Sequence, residues 1–182
     1  MPGTALRLQQ DVIIRPADPS ELPAVGDLRA EAYLADRYLT ETSPYIDVLR
    51  GLGADGSGEV LVAVDGDGVV GTVMLQTSGE HGEIIHSGGE AEIRALAVAP
   101  HARGRGIGRA LIAAVTALAR ERGVRHLVLL TQTEMHAAQH LYGEAGFARL
   151  PDRDWIPVPG VSLLAFGRVL AEERFDPRQG GG

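Results

Sequence analysis

Glu92-Ile93-Arg94-Ala95-Leu96-Ala97-Val98-Ala99-Pro100 runs directly into His101-Ala102-Arg103-Gly104-Arg105-Gly106-Ile107-Gly108-Arg109. The first part, from Ala91 to Val98, reads as a buried strand that Pro100 stops. The glycine loop then opens the clearest helix of the chain, Gly106 to Arg122. Ile107, Leu111, Ala114, Val115 and Leu118 form its apolar face, with Arg109, Thr116 and Arg120 opposite. A helix N-terminus leaves backbone N–H groups unsatisfied, with a partial positive charge of about half a unit. Glycines at 104, 106 and 108 remove the Cβ atoms that would hold a diphosphate away from those donors, and arginines add charge-assisted hydrogen bonds. On the loop alone, a phosphate cradle and a plain glycine turn with solvated arginines are equally good readings.

The charge distribution points to a compact anionic ligand there, or to a basic helix end with no ligand. The chain carries a net charge of −7, yet His101 to Arg125 holds six Arg against one acid, so this segment stands at +5 and the remainder at −12. A P-loop is excluded, because it needs Gly-Lys-Ser/Thr and the chain has no lysine. A dinucleotide fingerprint is disfavoured: with Gly104 and Gly106 as its first two glycines, its third falls on Arg109. A nucleotide-binding oxidoreductase therefore stays only as a third hypothesis.

Outward from this stretch the elements alternate. Val12 to Arg15 is a short strand. Asp18-Pro19-Ser20-Glu21 is a helix start, with an acidic N-cap, proline at the first position and Glu three residues after the cap. Leu22, Val25, Leu28 and Ala32 carry that helix to about Ala35, and Ser43-Pro44 opens a shorter one that fades at Gly51. Glu59 to Val64 and Val69 to Gln76 form a hairpin around Asp65-Gly66-Asp67-Gly68. A polar loop runs from Thr77 to Gly89. Beyond the long helix come a strand at Val124 to Thr131, a helix at Met135 to Ala145 closed by Gly146, a strand from Phe147, and a last strand at Val161 to Leu170. An antiparallel hairpin combined with a helical crossover implies an α/β (α+β) fold with a mixed central sheet flanked by helices. Its 182 residues read as a single domain, residues 1–182, with an ordered core of about 11–172 and a glycine-rich tail.

Composition sets further bounds. No apolar run reaches the roughly 20 residues of a membrane span, and Met1 to Val12 lacks the apolar stretch of a signal peptide. Zero cysteines exclude a disulfide framework, a thiolate nucleophile and a zinc-thiolate site. The expectation is a cytoplasmic protein that binds neither nucleic acid nor membrane; a homodimer is left open.

Two blocks decide between the readings of the loop. Glu92 to Pro100 followed by Arg103-x-x-Gly106-x-Gly108 resembles the acyl-CoA-binding signature of the GNAT (Gcn5-related) N-acetyltransferases. Ala138-x-x-x-Tyr142-x-x-x-Gly146-Phe147 resembles the next helix and strand of that family. Together they cover Glu92 to Phe147, and the element order fits the family's fold over nearly the whole chain. The resemblance implies an enzyme that takes acetyl-CoA as co-substrate, needs no metal, and holds the acyl-CoA in a cleft between the fourth and fifth strands. It implies acetyl transfer, directly in a ternary complex, to a primary amine of a small molecule or of a peptide or protein. The alternative is a non-catalytic acyl-CoA-binding or sensor module on the same fold.

By position in the family pattern, Leu96, Ala97 and Val98 would pair with the pantetheine arm, and a backbone N–H near Val98 would polarise the thioester carbonyl. Arg103, Gly104, Arg105, Gly106, Ile107, Gly108 and Arg109 would hold the pyrophosphate, with Ala138 and Tyr142 touching the cofactor. Glu92 matches a catalytic glutamate of the histone-acetylating branch and is the candidate base, with Glu90 a lesser candidate. Period-2 alternation would place Glu92, Arg94, Leu96 and Val98 on one face, turning Glu92 toward the cleft. Tyr142 matches the tyrosine that protonates the departing thiolate. Met135 departs from the family, where many members carry asparagine.

The acceptor would lie among the variable first helices and the late hairpin, near Tyr33, Arg37, Tyr38 and Tyr45 and near Asp152, Asp154 and Trp155. The acidic balance favours a cationic acceptor. His136 and His140 share a helix face without a third metal ligand, so they are expected to be structural or solvent-facing. His81 and His86, with Glu80 and Glu83, are expected to be solvated, with a lining role at the acceptor site as the alternative. Asp65 and Asp67 fit a hairpin turn better than a Ca²⁺ loop.

Overall fold

The capping box at Asp18 forms as its spacing requires. Asp18 accepts from the Ser20 N–H at 2.9 Å, the Asp18 N–H donates to Glu21 at 2.8 Å, and a short 3-10 turn, Pro19–Glu21, feeds α1 (Leu22–Ala35). In the computed structural model, residues 6–7, 11–77, 84–86 and 88–170 are described. His81, Glu80, Glu83 and the glycine-rich tail lie outside them.

The strands are β1 (Leu6–Arg7), β2 (Ile13–Pro16), β3 (Glu59–Asp65), β4 (Gly68–Gln76), β5 (Glu90–Val98), β6 (His126–Gln132), β7 (Ala148–Arg149), β8 (Trp155–Val158) and β9 (Val161–Val169). They form one mixed sheet in the order β1-β2-β3-β4-β5-β6-β9-β7, with β8 also on β9. Among the described residues only β5 and β6 run parallel, and every other pairing is antiparallel. The helices α2 (Tyr45–Gly51), α3 (Ile107–Glu121) and α4 (His136–Glu144) complete the fold. β1 adds a strand before Val12, so the expected cleft between the fourth and fifth strands lies between β5 and β6 here.

The helices cover both faces of the sheet. α3 packs on the face that carries Gly71 and Ala63: a Cβ added at Gly71 would lie 2.9 Å from Ile107 and 3.0 Å from Leu111. On the opposite face Val25 of α1 joins Val60, Val62 and Met74. One element departs from expectation. Thr116, read as solvent-facing, is buried, and its hydroxyl donates to the Ile112 carbonyl at 2.7 Å, which removes the cost of burying it.

The feature that creates the site is a bulge in β5. Thr72 of β4 opposes Ala97, yet Met74 opposes Arg94, so β5 carries one residue more than its partner. Ala95 takes that extra place with φ of +51°, a left-handed conformation that costs a non-glycine residue about 1–2 kcal/mol. The parallel ladder to β6 runs from Glu90–His126 to Ile93–Leu129 and stops there. Beyond it the two strands separate.

Candidate active site

The separated strands leave the β6-facing edge of Arg94 to Val98 without a strand partner among the described residues, so its backbone groups face a groove. Three cavities follow one another along it. The middle one, about 260 Å³, is walled by Ile93 to Val98, Leu130, Ala138 and Tyr142. It shares Val98, Arg103, Gly108, Ala137 and Leu141 with a cradle of about 310 Å³ at the start of α3. At its other end it shares Tyr33, Tyr38, Leu130, Thr131 and Met135 with a chamber of about 400 Å³.

The cradle fits an anionic group. Gly104 and Gly106 sit at φ of +76° and +75°, a region where side chains are strained, and a Cβ on either would meet no protein atom within 4 Å. The space there is open. Gly106 is also the N-cap of α3, and no side chain caps the helix, so its first N–H groups are left for a ligand. Gly108 also lines the cradle, and its missing Cβ serves packing besides, since an added one would stand 3.3 Å from Leu141. Arg103 and Arg109 line the cradle while paired to Asp36 and Glu144, each at 2.6 Å. Arg105 does not line it; it reaches back 2.7 Å to Asp65 in the β3–β4 turn. Asp65 also accepts from the Asp67 N–H at 2.9 Å, as a hairpin turn requires.

Tyr142 is buried on the wall of the middle cavity, its ring 6.0 Å from Phe147 and 6.2 Å from Phe166. Burial pushes its hydroxyl pKa up, so the group holds its proton at neutral pH. Met135, at the turn into α4, lines both the middle cavity and the chamber, and its sulfur accepts from Thr131 Oγ1 at 3.5 Å. Gln139 Nε2 donates to the carbonyls of Gln132 and Thr133, both at 3.0 Å, and fixes that turn.

Glu92 is placed differently from its expectation. Its exposure is 2 %, its Oε1 lies 3.9 Å from Arg94 Nε, and it is not among the residues lining these three cavities. The expected single face for Glu92, Arg94, Leu96 and Val98 is not found. Arg94 opposes Met74, whereas Val98 opposes Gly71, and those two β4 residues point to opposite faces. The bulge at Ala95 reverses the alternation. Glu92 and Arg94 therefore belong to the α1 side of the sheet.

Glu90 is fully engaged. Its carboxylate receives Arg153 through both terminal nitrogens, at 3.1 and 2.8 Å, the His86 N–H at 2.9 Å, and lies 3.1 Å from His126 Nδ1. Burial alone would push its pKa up; the bonds from Arg153, His86 and His126, with the charge of Arg153, hold it at about 2.

The chamber gathers Tyr33, Tyr38, Tyr45 and Trp155 as expected, and adds Leu39, Val48, Val158 and Leu163, which the sequence reading missed. Arg37, Asp152 and Asp154 stay off its wall. Asp154 instead binds Arg149 at 2.7 Å and the Ala165 N–H at 2.8 Å. Arg29 was missed too. It is 0 % exposed, donating to the carbonyls of Leu49 and Leu52 at 3.1 and 2.7 Å. An arginine among the apolar positions of α1 was the available signal. His140 is exposed and lies 3.5 Å from Glu144, and no cluster of three metal-ligating side chains occurs among the described residues.

Residues 23–147 match the acetyltransferase (GNAT) family. A mycothiol acetyltransferase of Cellulomonas flavigena is 34% identical over 125 residues, which is 63% of this chain and 31% of that protein. The chain thus spans about a third of that relative. Among solved structures, a GNAT-family acetyltransferase from Staphylococcus aureus Mu50 superposes with a TM-score of 0.68 at 17% identity, over 88% of this chain and 99% of that one. The yncA protein of Salmonella typhimurium, solved with its cofactor acetyl-CoA, gives a TM-score of 0.65 at 22% identity, over 90% and 96%. At such identities the likeness is one of fold. With the splayed β5–β6 cleft and the glycine cradle in place, this chain belongs to the GNAT family of acetyltransferases.

Proposed function

We propose that this acetyltransferase moves the acetyl group of acetyl-CoA onto a primary amine of a small molecule or peptide by direct attack in a ternary complex. The observation that carries this reading is the continuity of the three cavities across the end of the β5–β6 ladder. Acetyl-CoA would supply the activated thioester. Gly104, Gly106, Ile107, Gly108, Arg103 and Arg109 would bind its phosphates, while Arg105 stiffens the loop from behind through Asp65. Leu96, Ala97 and Val98 would offer backbone groups along the groove, with an N–H near Val98 at the carbonyl oxygen. Ala138 and Tyr142 form the facing wall, and the protonated Tyr142 hydroxyl is suited to deliver a proton to the leaving sulfur.

Glu92 takes up the proton released by the attacking nitrogen. Because it is buried off the cavities, that proton reaches it through water rather than by direct contact. Residues 11–172 act as one domain in this reading, in a cytoplasmic setting that suits a chain without cysteine.

Titration calorimetry with acetyl-CoA, and with NAD as control, tests the reading. Micromolar binding of acetyl-CoA alone is expected, and a folded sample that binds neither would refute it. Glu92→Gln should cut turnover about tenfold or more while acetyl-CoA affinity holds. Unchanged turnover at every pH would remove Glu92 from the mechanism.

A further inference from the structure

We infer that the acceptor is an aromatic amine whose nitrogen enters the chamber uncharged, an inference that rests on the acetyl-transfer reading above. The chain is poor in aromatic residues, with eight in all, yet four of them face this one cavity. Its 400 Å³ falls in the range of about 300–1,000 Å³ typical of small-molecule sites. The polar groups on its wall, Ser43, Thr131 and Gln132 among them, are neutral, and no Asp, Glu, Arg or His among the described residues lines it. Among the described residues, then, the acidity of the chain does not reach the wall where the acceptor would sit. That departs from the cationic acceptor expected from net charge.

Aromatic faces alone could hold a cation, and here the charge behind them decides. Arg29 lies one helical turn before Tyr33 on α1 and donates to carbonyls at the end of α2, the helix that carries Tyr45 and Val48 to the chamber. Its Nε and Nη2 have no hydrogen-bond partner among the described residues, and its only hydrogen bonds there go to main-chain carbonyls. Burial pulls its pKa down to about 10, so it is still charged at neutral pH. A positive charge is thus buried between the two helices that carry Tyr33 and Tyr45 to the chamber. An ammonium in the chamber would add a like charge in a poorly hydrated setting, whereas a neutral ring stacks on the same wall without that cost.

An aniline-type nitrogen is uncharged at neutral pH and has its lone pair free. It forms the C–N bond to the acetyl carbon as the C–S bond breaks, and the proton lost from nitrogen is balanced by one gained at sulfur. No base is needed before attack; the proton released afterwards still passes through water to Glu92, as in the reading above.

The test compares p-anisidine, phenethylamine and spermidine as acceptors, reading released CoA with a thiol reagent that sees no protein cysteine. The expected result is a kcat/KM for p-anisidine at least about tenfold above both others. A higher value for spermidine or phenethylamine overturns the inference. Val158→Asp, at an exposed position on the rim, should narrow the p-anisidine-to-spermidine ratio at least about fivefold by supplying the missing negative charge. An unchanged ratio counts against the inference. Acetyl-CoA titration of the same samples separates the two levels. Binding without transfer to p-anisidine overturns the acceptor class alone, whereas absent binding overturns the transferase reading beneath it.

Discussion

Replacing Glu90 by Gln would take one negative charge from the point where β5, β6 and the Pro151–Arg153 turn meet. That turn leads straight into β8, which carries Trp155 and Val158 to the chamber. The Glu90–Arg153 pair thus fixes the approach of the β8–β9 hairpin from a site 63 residues away in sequence. Folding holds the Glu90 carboxyl at about 2 against its ordinary 4.5, a depression equivalent to about 3 kcal/mol at neutral pH. Gln keeps part of the hydrogen bonding, and the Arg153 side chain, 22% exposed, can recover some water. The expected loss is therefore about 2–3 kcal/mol, less than the roughly 3–5 kcal/mol of breaking a fully buried pair.

The sign follows from the direction of the shift. A carboxylate with a depressed folded pKa contributes its stability in full above about pH 4.5 and loses it as pH falls toward 2. Urea unfolding of wild type and Glu90→Gln should show the full gap at pH 7, about 1 kcal/mol at pH 3, and almost none near pH 2. At pH 7 the acceptor KM should rise while acetyl-CoA affinity holds. Arg153→Gln should reproduce both effects, and the double variant should be less destabilised than the sum of the two. A gap of equal size at pH 3 and pH 7 would refute the electrostatic argument and leave packing as the cause.

Three further outcomes are open to direct measurement. Tyr142→Phe should lower kcat about tenfold or more, with the acetyl-CoA affinity and the melting temperature nearly unchanged, as read by CoA release and thermal unfolding. Gly106→Ala forces a side chain into φ of +75°, costing about 1–2 kcal/mol, and sets a methyl in the open cradle; calorimetry should find weaker acetyl-CoA binding. Gly26→Ala places a Cβ 2.6 Å from the Arg50 carbonyl oxygen, so α2 must move off α1. Despite better helix propensity it should lose about 1–3 kcal/mol and raise the acceptor KM, by denaturation and steady-state kinetics.

What could be read from the sequence is what lies in local pattern. The α3 face, the Asp18 cap, the β3–β4 turn and the glycine loop all follow from residues within a few places of one another. The partnerships that finish the site do not. Arg105 meets Asp65 across 40 positions, and Glu90 meets Arg153 across 63. Each looked from the sequence like a charge available for ligand or catalysis, because only the order of strands in the sheet brings its partner to it.

The bulge at Ala95 is the sharper case. Alanine carries no preference for a left-handed φ, so nothing at that position marks the break, and strict alternation along β5 assigns Glu92 and Val98 to one face. A β5 without the extra residue would keep its register with β4 and continue its ladder with β6 past Ile93. The edge that now borders the groove would then be spent on strand pairing, and Arg94 and Val98 would share a side. The one strained alanine therefore separates the strands, divides the α1 side of the strand from the side that meets α3, and turns a sheet into a cleft.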